Sequence, residues 1–293
     1  MARTNNLTDF LSDVADAIRT KKGTSETILA SDFDTEIENL PSGGGDLDEY
    51  FVTEITKNTS SSQHIQYPRN VIKKYPDIMV ANNVTSLTYA LSQFSEKIMP
   101  RLVFGNNVTN ISSLFYSITS ASTFDVSGFD TSNVTSMNSL FRSCTSLTDI
   151  DLSNFKTEKV ETIAYMFEGC SSLPSVNLSS FNTSNVTNMQ GLFGGCGKLT
   201  SLDLSNFETP KNKNVVGMFN NCVLLSHIDM RKFDFLKANN YSDTTFGATA
   251  SNGVPDDCEI IVADDTQKTW ITSKFSRLTN VKTVAEYEAE QNA

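Results

Sequence analysis

Four cysteines, Cys144, Cys170, Cys196 and Cys222, recur every 26 residues. A file of thiols is the pattern that could pair as disulfides or hold a soft metal. The surroundings support neither chemistry. There is no Cys-x-x-Cys pair, and the only histidines are His64 and His227, far apart in sequence. A fifth cysteine, Cys258, makes the total odd, which argues against a complete disulfide framework. Buried free thiols are the expectation, with no metal site. Two distant histidines also leave no triad and no paired acid and base. The stretch GLFGGCGKLT (191–200) has the glycines of a phosphate loop, but such a loop needs Ser or Thr after its Lys, and Lys198 precedes Leu199. No catalytic residue and no cofactor is expected; the protein reads as a non-enzyme.

A second set of repeating polar residues could bind. Three columns keep the 26-residue step: Thr123, Asp149, Ser175, Ser201, His227; Asp125, Asp151, Asn177, Asp203, Asp229; and Ser127, Ser153, Ser179, Ser205, Arg231. On stacked strands about 4.8 Å apart they would share one concave face. Neighbouring carboxylates there repel by on the order of 1 kcal/mol, screened by salt. The candidate binding face is therefore Asp125, Asp149, Asp151, Asn177, Asp203, His227, Asp229 and Arg231. It suits a glycan, a cationic protein patch or Ca2+. The same residues are also the ordinary soluble choice for an exposed sheet, copied by a repeat. The loop LKANNYSDTTFGATASNGVP (236–255) is a separate candidate for recognition.

The elements that would position these residues come from the repeat itself. Phe155, Phe181 and Phe207 form one column, and Phe141, Phe167, Phe193 and Phe219 another, all at the same step. Such a period signals units that bury their apolar faces against one another. Within a unit, Val134, Met137, Leu140, Phe141 and Cys144 make a helical stripe, with Asn133 as its cap, as Asn107 and Asn185 would be in their units. LTDIDLSNF (147–155) fits LxxLxLxxN and predicts a strand with Leu147, Ile150 and Leu152 inward. Asn212 interrupts the column of valines. The fold class expected is α/β: a leucine-rich-repeat solenoid of 26-residue strand-helix units with a parallel sheet, and a small N-terminal helical module.

Residues 1–40 read as that module, with Leu7, Phe10, Leu11, Val14 and Ile18 on one helical face and Phe33 and Ile37 on a second short helix. Two such helices cannot make a core alone, so they would anchor the chain to a partner or to copies of itself. Residues 41–46 follow as a flexible linker, 47–82 as a lead-in cap containing a strand at EYFVTEIT (49–56), 83–235 as the repeats, and 236–293 as loop and cap. In the cap, CEIIVADDTQKTWITSKFSRL (258–278) predicts a strand and then a helix. The formal charge of −11 argues against a nucleic-acid partner, and no apolar run suggests membrane insertion. The N-terminus lacks the pattern of a signal peptide, so synthesis in a cytoplasm is expected.

The phrase F-(D/N)-T-S-N-V-T-x-M-x-x-L-F-x-x-C-x-x-L-x-x-(I/L)-D-L-S-N-F resembles the BspA-type leucine-rich repeat over roughly residues 83–235. The N-terminal DVADAIRTKKGTSETILASDFDTEI resembles segments of tail-associated structural proteins of phages and prophages. Together these resemblances imply a virion protein made in the host cytoplasm. Residues 1–45 would contact other virion proteins, and the repeats would meet a host cell-surface protein or glycan. A homo-oligomer is expected, a trimer first. The alternatives are a purely structural tail, baseplate or capsid-decoration protein, and a bacterial surface adhesin.

Overall fold

The computed structural model describes residues 52–55, 77–80, 84–92 and 101–293. The anchoring positions Leu7, Phe10, Leu11, Val14, Ile18, Phe33 and Ile37 and the linker at 41–46 lie outside the described residues. The chain divides into two compact units, residues 1–53 with 67–77, and residues 54–66 with 78–293. The second holds nearly everything described below.

Three short strands come first: β1 (Val52–Ile55), inside the stretch expected to be extended, β2 (Asp77–Val80) and β3 (Arg101–Val103). The repeats follow. Parallel bridges link equivalent residues of successive units, from Ser86↔Asn110 through Ser136, Thr162, Asn188 and Asn214 to Asn240. At the C-terminal end a parallel sheet forms in the order β4-β5-β6-β7, with β4 Ser201–Asp203, β5 His227–Met230, β6 Glu259–Val262 and β7 Val281–Thr283. Two α-helices accompany it, α1 (Asp265–Lys274) and α2 (Val284–Gln291). The class is mixed α/β, with a parallel sheet and few helices among the described residues. β6 followed by α1 is the order read from 258–278.

The helix expected inside each repeat does not form. Residues 137–144 make successive tight turns: Leu140 N–H donates to Met137 O, Arg142 N–H to Ser139 O and Cys144 N–H to Phe141 O. Every second amide points instead to the next unit. Met137, Ser139, Phe141 and Ser143 donate to the carbonyls of Thr162, Ala164, Met166 and Glu168. That arrangement requires two left-handed residues per unit, Ser139 (φ 56) and Ser143 (φ 62), matched by Tyr165 and Gly169, Gly191 and Gly195, and Gly217 and Asn221. A positive φ every fourth residue excludes an α-helix. Turns closing over three residues bring side chains inward at almost the helical interval, so the apolar stripe was real and its helical reading wrong. Val134, Met137, Leu140, Phe141 and Cys144 are all fully buried. Asn107, Asn133 and Asn185 cap no helix: their amide groups donate to the carbonyls of Val84, Asn106 and Glu158, one unit back.

The strand half is also less regular than expected. Leu147, Ile150 and Leu152 point inward as read. Assigned strand, however, appears among the described residues of the repeats only at β3, β4 and β5. Thr148 donates to Ser122 O, Thr200 to Pro174 O and Ser226 to Thr200 O, but Pro174 has no N–H to offer Thr148 and breaks the ladder at its middle.

Three kinds of internal file lock the units, the first of them a pair of phenylalanine columns. Phe115, Phe141, Phe167, Phe193 and Phe219 stack at centroid distances of 5.5, 5.7, 6.0 and 6.0 Å. Phe129, Phe155 and Phe181 stack at 6.0 and 6.3 Å, and Phe207 is buried in the same column. Buried threonines form the second file. The Thr157 hydroxyl accepts from Asn182 N–H at 2.7 Å and donates to Asn182 O at 3.1 Å, as Thr131 does with residue 156. The cysteines form the third, each thiol donating to the carbonyl of a phenylalanine one unit back: Cys144 to Phe115 O, Cys170 to Phe141 O, Cys196 to Phe167 O and Cys222 to Phe193 O, at 3.0–3.1 Å.

One residue in this interior lacks its partner. Asn212 stands in the column of Val134, Val160 and Val186 and is 1% exposed. Its oxygen accepts from Asn214 N–H, but its buried side-chain amide donates to nothing. Asn212→Val should therefore stabilise the protein by about 1–2 kcal/mol, since an unmet buried donor costs that much. A urea midpoint that falls on this substitution would overturn the account.

Candidate functional site

The polar columns do share one face, on the side chains that alternate with the buried ones. Thr123, Asp125, Asp149, Asp151, Ser175, Asn177, Ser201 and Asp203 are exposed. The middle column is shaped by local chemistry. Asp125, Asp151, Asn177 and Asp203 each accept, through Oδ1, the backbone N–H two residues on, at Ser127, Ser153, Ser179 and Ser205. This Asx turn ends each strand segment. Asn177 does the same work without charge, so the column needs an acceptor and not an anion. The Ser153 backbone N–H, then the Ser153 hydroxyl, hold the Asp151 carboxyl below the usual range, and the Ser205 hydroxyl, then its N–H, do so for Asp203. Ionised Asp at these positions favours folding above the ordinary carboxylate range, a contribution lost as pH falls through the lowered values.

At the C-terminal end the face changes character. Asp229 is 7% exposed and bound bidentately by Arg231, whose Nε lies 3.1 and 3.0 Å from its two oxygens and whose NH2 lies 2.6 Å from Oδ2. That pairing raises the Arg231 guanidinium. His227 Nδ1 lies 2.7 Å from Glu259 Oε2, and Lys282 Nζ 2.9 Å from Glu259 Oε1. The Lys282 ammonium, and after it His227, hold Glu259 below the usual carboxylate range against the opposing effect of burial. The eight candidate residues thus divide: Asp125, Asp149, Asp151, Asn177 and Asp203 stand open, and His227, Asp229 and Arg231 sit in an ion-pair network. Among the described residues, no group of three or more His, Cys, Asp or Glu is placed to hold a metal ion. None of their helices is long and apolar enough to cross a membrane.

The loop at 236–255 is held at both ends. Phe246 extends the aromatic file beyond Phe219 at 5.3 Å, and the Arg277 guanidinium donates to the carbonyls of Phe246, Gly247 and Val254. Tyr241 packs edge-on against Trp270 at 5.0 Å.

The sequence reading missed a surface row on the turn side. Arg142 lies 4.8 Å from the Tyr165 ring and 6.0 Å from that of Tyr116, and its Nε is 2.5 Å from Glu168 Oε2. Tyr116, Arg142 and Glu168 keep the 26-residue step, so the signal was present in a column of dissimilar types.

The thiols are all free and buried, as expected. Burial pushes Cys144, Cys222 and Cys258 up to about 12, and Cys170 and Cys196 well above the ordinary value. Cys258 is off the 26-residue step, and its thiol turns to Glu259 O at 3.8 Å. A thiol-disulfide reagent at pH 8 should label none of the five in the folded protein and all five after unfolding in guanidinium. Rapid labelling of a folded-state thiol would contradict this packing.

Units of 26 residues, stacked in parallel and displaying a repeated polar face, define a repeat protein of the leucine-rich type. The chain belongs to the family described as "Mycoplasma protein of unknown function, DUF285", which it matches over residues 82–177 and 150–257, together more than half of its length. The match falls on the stretch that carries the BspA-type resemblance. Among curated proteins no match is found. Among solved structures, the crystal structure of the pneumococcal vaccine antigen PcpA is similar at 16% identity over 70% of this chain, with a TM-score of 0.29; the similarity spans 59% of that protein.

Proposed function

We propose that this is a non-enzymatic recognition protein of a phage virion. In this reading it is a tail-associated receptor-binding or host-adhesion protein whose repeats form a leucine-rich solenoid. Residues 1–45 attach it to other virion proteins and assemble a homo-oligomer, a trimer first, and the polar face meets a host cell-surface protein or glycan. The observation supporting this is the continuity of the face. Exposed Asp, Asn, Ser and Thr repeat over successive units whose backbones are hydrogen-bonded to one another. Such a scaffold presents many weak contacts in fixed register, which suits an extended or repeating ligand.

The family match covers the repeats and the loop after them, residues 82–257. It is equally compatible with an adhesin on a bacterial surface, which is the second reading.

The test is retention of labelled full-length protein on whole cells of Gram-positive gut hosts. Parent protein should bind saturably and be competed by unlabelled protein. Ser175→Trp, which places a large ring in the middle of an exposed column, should lower retention at least about tenfold, the loss of one central contact set. Undiminished retention of that variant would move recognition away from this face. Absence of retention on every host would favour a structural tail, baseplate or capsid-decoration role.

A further inference from the structure

The polar columns are exposed as far as Ser201 and Asp203, and at the next unit, where α2 lies against them, His227 and Arg231 are half-buried and Asp229 is buried. Three contacts place it there. The Tyr287 ring stands 6.2 Å from the ring of His227, Glu288 Oε1 lies 3.8 Å from Arg231 NH1, and Glu290 pairs with Lys282. His227 and Arg231 are the last members of the outer columns, so α2 occupies the same face that the preceding units leave free.

α2 is held differently from the rest of the C-terminal end. α1 buries Gln267 and Ile271, and Gln267 accepts from Phe235 N–H and donates to Asp234, so it is built into the core. α2 buries none of its residues. Besides its cap at Thr283 and the Tyr287 ring contact, its attachments are ion pairs on partly exposed side chains, including Glu286 to Lys268 of α1 at 2.7 Å. Its strongest contacts on the face are shared: Arg231 is already paired with Asp229, and Lys282 with Glu259. Removing α2 therefore leaves Arg231 and Lys282 still partnered, takes Glu286 from Lys268 alone, and lets the strands beneath keep their own hydrogen bonds. Exposed ion pairs of this kind hold weakly, and less so as salt rises.

We infer that α2 is a strap on the polar face, which opens as a unit without unfolding β6 and β7 and uncovers His227, Asp229, Arg231 and Lys282 as an extension of that face. A partner that uses this extension competes with α2 for it. The competition rests on the recognition reading above; the opening does not.

Amide exchange on the full-length protein tests the opening. Amides of residues 284–291 should exchange at least about tenfold faster at 0.5 M than at 0.02 M salt, as expected for attachments screened within a Debye length, with β6 and β7 unchanged. Acetylation of Lys282 should accelerate in parallel. The variant Glu288→Lys with Glu290→Lys should show the fast exchange already at low salt, with β6 and β7 still protected. Exchange of α2 together with β7, independent of salt, would overturn the inference and make α2 an integral cap. Cell retention then separates the two ideas. Greater retention of the opened variant than of the parent supports the competition, and equal retention of two binding proteins removes it. If neither protein is retained while α2 exchanges alone, the recognition reading fails and the strap stands.

Discussion

Replacing Phe193 by Ala is expected to cost about 3–5 kcal/mol and to unfold several units together. The ring is fully buried and lies 6.0 Å from both Phe167 and Phe219. Its removal leaves a cavity whose walls are the rings of two different units. Neither neighbour can collapse freely into the gap, because the backbone on each side is tied in register: Phe167 N–H donates to Leu192 O, and Phe193 N–H to Met218 O. The loss therefore falls on both inter-unit junctions at once. In a stacked array, stability is close to a sum of unit and junction terms, so weakening two adjacent junctions at the centre divides the array. Urea unfolding should show a lower midpoint and a second transition, with Trp270 emission reporting the C-terminal part alone. A single transition at the parent's midpoint would be incompatible with a continuous ring file.

The second large effect is expected at Gly247. Its φ of +83° lies in the left-handed region, which alone costs a substituted residue about 1–2 kcal/mol. Space is the greater obstacle. A Cβ on Gly247 would stand 2.1 Å from Gly253 Cα and 2.4 Å from Asn252 O, both backbone atoms that cannot rotate away. Gly247→Ala must push the chain at 252–253 outward. That movement withdraws the carbonyls of Gly247 and Val254 from Arg277 and breaks the bond from Val254 N–H to Phe246 O. The total should reach on the order of 3 kcal/mol or more, counting the left-handed strain and the lost charge-assisted bonds. Phe246, the last ring of the file, would lose its cover, so proteolysis within 247–256 should accelerate along with the fall in midpoint. Arg277→Lys is the companion variant. It keeps the charge but loses the forked donors, and should give the same local cleavage with a smaller loss of stability. If Gly247→Ala is as resistant to cleavage as the parent, the close approach of the two glycines does not hold this loop.

The repeat made much of this protein legible in advance. A step of 26 residues fixed which side chains are equivalent, and equivalence was enough to place Phe141, Phe167, Phe193 and Phe219 in one file and the cysteines in another. It also placed the Asp and Ser columns together, because identical units in parallel bring like positions side by side. The inward direction of Leu147, Ile150 and Leu152 followed from alternation, and β6 with α1 from the pattern of residues 258–278; that Asp264 caps the helix came from the structure.

What periodicity could not give was the path of the backbone between those points. Side chains entering the core every three or four residues are common to a helix and to a chain of tight turns, so Val134 to Cys144 satisfied both. The decision lay with residues outside the stripe. Ser139 and Ser143 align with Gly191 and Gly195, and the left-handed backbone there becomes favourable once its amides find carbonyls on the next unit. That donor-acceptor match exists only in the stack, as does the role of Thr157, whose hydroxyl bridges to residue 182. The same holds for the covering of His227 and Arg231 by α2, since nothing in the spacing of their columns records a helix that arrives sixty residues later to lie across them. The sequence alone therefore determined which residues are equivalent and which are inside. The tertiary structure decided how the backbone satisfies its hydrogen bonds and how far the polar face stays open, because both depend on partners contributed by other units.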